Sequence, residues 1–249
     1  MADTQRPPLN VVDLQGCSIF RQLQLEEALL RADTHNWCIL NTAVNPSIVM
    51  GISGKVEELI NLDKIRQHPI PVVRRFSGGG TVYVDSKTYF VSFIVQNQLL
   101  NAPSYPSHIH AWAKQFYAKV FPWEEFNLLE NDYVLGNHKF GGNAQYICKN
   151  RILHHTSLLW DYDAEAMEYL LIPKKAPYYR SNRNHADFLC RLSEKIISRA
   201  VLEKMLRNAL SQQYTVQEGS LDELLEIEKR FHRQATCYVE IPSSQSLSI

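Results

Sequence analysis

Apolar residues recur along this chain with two periods, and the longer period marks its helices. From residue 18 to 31 the apolar positions follow a mostly helical spacing, which predicts an amphipathic helix with Glu26 and Glu27 on its solvent side. At residue 220 a Ser-x-x-Glu capping box predicts the start of a last helix, just before Leu224. Helical spacing also covers residues 55–68, 108–121 and 193–206.

Short runs of β-branched and aromatic residues predict the strands. These runs are residues 37–44, 47–50, 70–76, 81–84 and 89–95. The first two flank an Asn-Pro pair, which predicts a hairpin. Between residues 132 and 159 we expect short strands joined at Gly136-Asn137, Gly141-Gly142 and Lys149-Asn150. Helices flanking a central mixed, largely antiparallel sheet make an α+β fold.

The length of 249 residues suits one large domain or two small ones. We expect a flexible, Pro-rich lead over residues 1–16, one folded domain over residues 17–241 and a frayed tail over residues 242–249. After Ala200 the chain has room only for closing helices of the same domain, so we expect no C-terminal accessory domain.

Charge and cysteine content narrow the function classes. Lys+Arg and Asp+Glu both number 26, so a formal net charge of zero removes bulk attraction to nucleic acid or anionic membranes. The longest apolar runs fall well short of the ~20 residues that span a bilayer. Five widely spaced cysteines favour a reducing compartment over a disulfide framework. We therefore expect a soluble intracellular protein, and the N-terminus, which lacks a recognisable targeting signal, indicates the cytoplasm.

The most informative motif is Arg-Arg-Phe-Ser-Gly-Gly-Gly-Thr at residues 74–81. Three consecutive glycines cost more backbone entropy than an ordinary turn requires, which indicates positive φ angles or close approach of a ligand. The bare N–H groups of such a loop form an anion-binding nest, and the arginines supply forked donors for phosphate or carboxylate. The alternative is a mobile surface loop with solvated arginines. The spacing fits neither a Walker loop nor a dinucleotide fingerprint.

A second motif surrounds Lys139. Asn131 and Asp132 precede it, and Gly141 and Gly142 follow it. A lysine on a strand next to two glycines projects its ammonium into a groove that the glycines leave open, where the fixed charge suits a carboxylate or phosphate oxygen. The alternative is a turn lysine in water.

These motifs resemble the catalytic domain of lipoate-protein ligase A, within the biotin and lipoate ligase superfamily. The Arg-Arg-x-Ser-Gly-Gly-Gly run, followed by Val and an aromatic residue, is specific to that family. The resemblance extends over ordered blocks at residues 24–30, 45–51, 74–85, 131–144 and 154–159.

The resemblance implies acyl-adenylate chemistry. A lipoate or octanoate carboxylate attacks the α-phosphate of ATP, and a carrier-protein lysine then takes the acyl group. Lys139 would be the catalytic residue, and Asp132 would lie beside Mg²⁺ brought with ATP, without a protein metal cluster. The implied substrate- and nucleotide-binding residues are Arg74, Arg75, Ser77, Gly78, Gly79, Gly80, Thr81, Val82, Tyr83, Asn131, Asp132, Lys139, Gly142 and His155.

Several alternatives stay open within this resemblance. An octanoyltransferase of the same fold would use a cysteine, but in such relatives it lies upstream of the lysine block, whereas Cys148 follows it. A non-catalytic, ligase-like binding module would hold an acyl group without turning it over. His154 and His155 lack a nearby ligand set for a metal, so we interpret His155 as a structural or pocket-wall residue.

The partners implied by the resemblance are lipoyl carrier domains of 2-oxoacid dehydrogenase complexes or the glycine cleavage H protein, and neither nucleic acid nor a membrane. Without an accessory domain, adenylation requires a separate accessory subunit, a preformed adenylate or unaided catalysis. Lipoylated carriers of eukaryotes lie in mitochondria and plastids, which leaves a mitochondrial location open beside the cytoplasmic one.

Overall fold

The computed structural model describes residues 6–42, 45–173 and 176–241, which form two β-sheets with helices packed between and around them. The strands are β1 (Pro8–Asp13), β2 (Trp37–Thr42), β3 (Ser47–Met50), β4 (Val72–Arg74), β5 (Val82–Val84), β6 (Thr88–Gln96), β7 (Phe126–Leu129), β8 (Asp132–Leu135), β9 (His138–Ile147), β10 (Arg151–Leu159), β11 (Thr215–Glu218) and β12 (Cys237–Tyr238). The helices are α1 (Ile19–Ala32), α2 (Val56–Leu59), α3 (Leu62–Gln67), α4 (Pro106–Val120), α5 (His185–Phe188), α6 (Arg199–Gln213) and α7 (Leu221–Glu228).

The larger sheet has eight strands in the order β11-β1-β2-β6-β10-β9-β8-β7. Its central strands run antiparallel, whereas β1 pairs in parallel with both β2 and β11. The predicted α+β fold with a mixed, largely antiparallel sheet is therefore confirmed. β6 and β10 are mutually paired over nine residue pairs at the centre of this sheet, so they form its most deeply buried part.

The smaller sheet has the order β12-β4-β3-β5. Because β3 belongs to this sheet and β2 to the larger one, the predicted hairpin between residues 37–44 and 47–50 is wrong, and the chain changes sheets after β2 instead. Residues 43 and 44 of that prediction lie outside the described residues. β4 and β5, which flank the glycine run, both pair with β3 and not with each other.

Helix α1 lies where the two sheets meet and packs on both of them. Its first turns place Ile19 and Leu23 against Val49 and Val73 of the smaller sheet. Its later turns place Leu25 and Leu29 in a second core cluster beneath the larger sheet. Helices α4 and α6 cover the opposite face of the larger sheet with a third, aromatic-rich cluster. No helix in the described part of the chain is long and apolar enough to cross a bilayer.

Helix α1 is buried on nearly every side, so the prediction that Glu26 and Glu27 face solvent is wrong. Both carboxylates are almost completely buried. Glu26 accepts hydrogen bonds from Gln22 and Ser92, and Glu27 accepts them from Arg31 and from the backbone of residues 235 and 236. A helix that is covered on both faces buries acidic residues only with such partners.

Other boundaries also differ from the sequence prediction. Residues 8–13 of the expected flexible lead form β1, because their apolar positions fill the core between β2 and β11. Gly141 and Gly142 lie inside β9 and make no turn. The expected helix over residues 55–68 is divided at Ile60 into α2 and α3. The capping box at Ser220 is confirmed, because the Glu223 carboxylate accepts a hydrogen bond from the Ser220 backbone N–H.

The other domain limits stay predictions, and the expected tail over residues 242–249 lies outside the described residues.

We expect Glu27→Gln to lower the free energy of unfolding by about 1–3 kcal/mol, because buried donors lose a charged acceptor. The Glu27 carboxylate accepts hydrogen bonds from the N–H groups of Ala235 and Thr236 at 2.9 and 3.0 Å and from the Thr236 hydroxyl at 3.1 Å. Urea unfolding followed by circular dichroism measures the change. The matched control is Glu226→Gln, whose carboxylate is exposed, and equal losses in both variants would contradict this account of Glu27.

Candidate functional site

A cavity of about 480 Å³ opens between the two sheets, with walls from both of them and from residues 167–173 and 177–189. It is lined by most of the residues implied by the family resemblance. These are Arg75, Gly78, Gly79, Gly80, Thr81, Val82, Tyr83, Asn131, Asp132, Lys139, Gly142 and His155. The glycine run and the lysine motif, more than 50 residues apart in sequence, therefore face the same space.

The buried guanidinium of Arg75 holds the glycine run in place. Its Nη2 donates to the carbonyl oxygens of Gly78 and Gly80 at 2.8 Å each, and its Nε donates to Gly78 at 3.2 Å. Burial lowers the pKa of Arg75 to about 10, and Glu26 acts in the opposite direction. The charge stays on the guanidinium at neutral pH, but its donors point at the protein backbone. In this structure Arg75 shapes the loop that was expected to bind the phosphates.

The bend of the loop depends on glycine at two positions. Gly79 has a φ of +105°, which disfavours any side chain, and a Cβ there would meet the Arg75 Nη2 at 2.7 Å. A Cβ at Gly51, at the end of β3, would overlap the carbonyl oxygen of Gly79. The loop therefore rests directly on the backbone of the smaller sheet.

Arg74 and Ser77 do not line the cavity, in contrast to the prediction. Arg74 points away and donates from Nη1 to the carbonyl oxygens of Ile52 and Gly54 at 3.1 and 2.7 Å. Successive residues of a strand point to opposite faces, so Arg74 and Arg75 of this strand end cannot both face the cavity. Ser77 is completely buried beneath the loop.

Lys139 lies in the cavity wall, where its half-buried side chain forms an ion pair with a buried carboxylate. Its Nζ is 2.7 Å from Asp132 Oδ1, and the Tyr179 hydroxyl donates to Asp132 Oδ2 at 2.9 Å. The β8–β9 hairpin brings the pair together, since Asp132 lies opposite Gly142 in the register and Lys139 is three residues earlier. A Cβ at Gly142 would lie 3.2 Å from Lys139 Nζ. The glycine thus leaves room for the ammonium, as the sequence predicted.

The two histidines of β10 point to opposite faces, as the alternation of a strand requires. His155 lines the cavity, and its Nδ1 lies 2.9 Å from Glu26 Oε1 and 3.0 Å from the Ser92 hydroxyl. His154 faces the aromatic core, where its Nε2 lies 2.8 Å from the Tyr133 hydroxyl. Burial lowers the pKa of His154 to about 3, so its ring is neutral at pH 7.

Part of the cavity lining is apolar, which suits a hydrocarbon tail. Val82 and Phe90 contribute from the two sheets, and Met167 and Leu170 contribute from the segment after β10. Tyr83 stacks on Tyr169 with ring centroids 5.8 Å apart, and burial, followed by Asp85, raises the pKa of Tyr83 to about 12. The same cavity is also lined by the ion pair of Lys139 and Asp132, so its lining combines apolar and charged side chains.

The sequence motifs did not identify the cavity wall formed by residues 177–189. Pro177, Arg180, His185, Phe188 and Leu189 all line the cavity. Burial, followed by the nearby charges of Arg180 and Lys139, lowers the pKa of His185 to about 4. Nothing in the local sequence pattern marks this segment, because it consists of short turns that gain their position from contacts with β8 and β9.

The described lining residues include three histidines and one aspartate, but no glutamate or cysteine. The described parts of the chain contain no group of three or more His, Cys, Asp and Glu side chains that could hold a metal ion. Cys148 does not line the cavity, and its thiol donates to the Arg151 carbonyl oxygen at 3.2 Å. The single carboxylate of Asp132 fits an ion that is bound mainly by the phosphates of its nucleotide.

We expect Gly51→Ala to displace the glycine run and to lower the free energy of unfolding by about 1–3 kcal/mol, because the new methyl group overlaps the Gly79 carbonyl. Hydrogen exchange at residues 77–80 should become faster. Gly78→Ala is the matched control, since a Cβ there meets nothing within 4 Å. Unchanged exchange in Gly51→Ala would show that the loop does not rest on β3.

We expect His154 to make the protein sensitive to acid. Its pKa in the folded state is lowered to about 3, below its ordinary value of 6.5, so the unfolded chain binds one more proton between these values. Stability is therefore lost as the pH falls from about 6.5, with a slope of up to about 1.4 kcal/mol per pH unit. In His154→Gln the slope of unfolding free energy between pH 6.5 and 4 should be smaller. His138→Gln, at an exposed position, should leave the slope unchanged.

Comparisons with known proteins identify the family of this chain. Residues 18–211 match the family described as the lipoyl protein ligase A/B catalytic domain. A Plasmodium falciparum protein named inactive lipoate–protein ligase 2 is 30% identical over 73% of this chain and 62% of its own length. A putative lipoate-protein ligase A of Aeropyrum pernix is 31% identical over 66% of this chain and 62% of its own length. The chain thus spans less than two thirds of the length of these curated relatives.

Solved structures show the same fold. A putative lipoate protein ligase of T. acidophilum with bound lipoic acid has a TM-score of 0.72 at 15% identity, over 90% of this chain and 94% of its own. A lipoate-protein ligase A bound with ATP has a TM-score of 0.72 at 15% identity, over 90% of this chain and 93% of its own. The family match covers well over half of the sequence, and the chain therefore belongs to the lipoyl protein ligase A/B catalytic-domain family.

Proposed function

We propose that the chain is a lipoate– or octanoate–protein ligase that forms an acyl-adenylate from ATP and transfers the acyl group to a lysine of a carrier domain. The observation that supports this most strongly is the placement of Lys139 and the glycine run around one cavity whose lining is partly apolar. A free fatty acid, a nucleotide and a fixed ammonium are the components that such a reaction requires.

In the first half-reaction a carboxylate oxygen attacks the α-phosphorus of ATP, and the bond to the β-phosphate breaks to release pyrophosphate. The ammonium of Lys139 would donate to both the carboxylate and the phosphate, which lowers the repulsion between them and stabilises the transition state. The N–H groups of Gly78, Gly79 and Gly80 would hold the phosphates, with Arg75 keeping the loop in shape.

In the second half-reaction the neutral amine of a carrier lysine attacks the acyl carbon to form an amide, and AMP leaves with the electrons of the carbon–oxygen bond. The proton lost by the nitrogen passes to the AMP phosphate or to water. The protein contributes no covalent nucleophile. Asp132, held by Lys139 and Tyr179, is the group that would hold Mg²⁺, which neutralises phosphate charge when bound. Thr81, Val82 and Tyr83 would cover the acyl chain, and Asn131 and His155 would line the polar part of the site.

The expected carriers are lipoyl domains of 2-oxoacid dehydrogenase complexes or the glycine cleavage H protein. In support, one structure of the same fold comes from a bi-partite lipoate protein ligase studied together with its E2 lipoyl domain, from Thermoplasma acidophilum. It has a TM-score of 0.73 at 16% identity. A bi-partite ligase also supports the idea that a separate subunit supplies the accessory role.

A non-catalytic binding module is the second candidate, and one observation favours it: the Plasmodium falciparum relative is named inactive. Against it, the cavity of this chain retains the lysine, its carboxylate partner and the complete glycine run. An octanoyltransferase would require a cysteine in the cavity, and none of the lining residues is a cysteine.

Three acyl donors, each offered to a purified lipoyl domain, distinguish these candidates. The measurement is the gain in mass of the lipoyl domain. We expect a gain with lipoate, ATP and Mg²⁺. A gain with preformed lipoyl-AMP alone would indicate a transferase that depends on a partner for adenylation, and a gain from an octanoyl carrier without ATP would indicate an octanoyltransferase. No gain from any donor would contradict an enzymatic function.

We expect Lys139→Gln to lower acyl transfer at least a hundredfold, because it removes the charge at the reacting oxygens but keeps a donor for Asp132. The rate of pyrophosphate exchange into ATP measures the first half-reaction, and carrier acylation measures both. Lys114→Gln, on the exposed side of α4, is the matched control and should retain full activity. Full activity in Lys139→Gln would show that this lysine is not the catalytic residue.

A further inference from the structure

The cavity has an excess of positive charge that its own side chains do not balance. Arg75, Lys139 and Arg180 line it, whereas Asp132 is the one carboxylate among the lining residues that the structure describes. Arg75 directs its donors at backbone carbonyls, and Lys139 is paired with Asp132. Arg180 is the cation whose partner has to be identified.

The Arg180 side chain is 95% buried, yet it makes few polar contacts. Its exposed fraction is 5%, and its Nε donates to the Arg183 carbonyl oxygen at 2.9 Å. The guanidinium carbon lies 4.8 Å from the ring centroid of Phe188. Its Nη2 is buried and has no hydrogen-bond partner among the described residues. One buried donor of a residue that lines the cavity is therefore left without an acceptor among the described residues.

This arrangement of a buried guanidinium is energetically unfavourable for the protein by itself. Burial lowers the pKa of Arg180, and Asp132 acts in the opposite direction. Among the described residues, Asp132 accepts from Lys139 and Tyr179, and it makes no hydrogen bond with Nη2 of Arg180. A buried charged donor without an acceptor is unfavourable, and it persists where a ligand supplies the acceptor.

The turn that carries Arg180 is rigid and linked to Lys139. Arg180 and Arg183 each donate from Nε to the backbone carbonyl of the other, and Ser181 and Asn182 between them have φ angles of +52° and +60°. The preceding residue, Tyr179, donates to Asp132, which in turn pairs with Lys139. The guanidinium and the ammonium are thus held at fixed positions around one carboxylate.

We propose that Arg180 is a second phosphate-binding residue, which binds an oxygen of the nucleotide through Nη2 while Lys139 binds the reacting end. The inference rests on the proposed function. The triphosphate of a nucleotide carries several negative charges and stays negative when Mg²⁺ is bound, whereas a fatty-acid carboxylate carries one charge only. His185, with a pKa near 4, adds no positive charge at neutral pH.

Arg183 offers a matched control for this role. It also packs on Phe188, with its guanidinium carbon 5.3 Å from the ring centroid, and it lies three residues away on the same turn. Unlike Arg180, it does not line the cavity, and its Nη1 and Nη2 donate to backbone carbonyls. Loss of either arginine disturbs the same turn, but only the loss of Arg180 removes a donor from the cavity.

The test is isothermal titration calorimetry of Mg²⁺–ATP and of lipoate, separately, with the wild type, Arg180→Gln, Arg180→Lys and Arg183→Gln. We expect Arg180→Gln to weaken ATP binding about 10- to 100-fold and to change lipoate binding less than twofold. Arg180→Lys should recover part of the loss, and Arg183→Gln should stay within about threefold of the wild type. Thermal unfolding checks that each variant is folded, and Arg180→Lys carries the test if Arg180→Gln does not fold.

Titrations with AMP and with pyrophosphate locate the contact. Weaker binding of AMP places Arg180 at the α-phosphate, and weaker binding of pyrophosphate places it at the outer phosphates; either result supports the proposal. Unchanged ATP binding in Arg180→Gln, a loss confined to lipoate, or equal losses in the Arg180 and Arg183 variants would overturn it.

The outcomes also separate this inference from the proposed function. A chain that binds ATP through Arg180 but acylates no carrier would contradict the proposed function alone. A chain that acylates carriers while Arg180→Gln binds ATP normally would contradict the inference alone. A wild type that does not bind ATP would contradict both.

Discussion

The buried guanidinium of Arg75 is the interaction on which the cavity depends. It joins the carbonyl oxygens of Gly78 and Gly80 to the backbone of β3, where its Nη1 lies 3.4 Å from the Val49 carbonyl oxygen. A glycine run has high conformational entropy, so it forms a defined surface only when something holds it. By orienting the loop carbonyls toward Arg75, the protein leaves the opposite side of the loop free for a ligand.

The charged side chains of the cavity are also held by specific partners. Lys139 pairs with Asp132, the Tyr179 hydroxyl donates to the same carboxylate, and Nη2 of Arg180 has no acceptor among the described residues. Charges that are buried and already oriented stabilise developing phosphate charge without waiting for solvent to reorganise. The activity that we propose depends on these few charges, which the strands and the turn after β10 hold in place.

Helix α1 explains how two sheets with different strand orders form one cavity. Its first turns pack on the smaller sheet and its later turns on the larger one. Its buried carboxylates extend this role, because Glu26 contacts His155 at the cavity wall and Glu27 binds the backbone just before β12. Polar groups buried at such a junction define its geometry, since only one arrangement satisfies all of them.

The sequence by itself determined the α+β class, helices α1, α4 and α7, and the two motifs that meet in the cavity, because periodicity and glycine runs are local properties of the chain. It did not determine that Glu26 and Glu27 are buried or that β2 and β3 belong to different sheets. It also did not separate Arg75, which faces the cavity, from Arg74, which does not. Arg180 was not identified at all. Contacts between distant segments decide which helix faces are buried, which strands share a sheet and which guanidinium donor lacks an acceptor. Only the tertiary structure therefore determines these features.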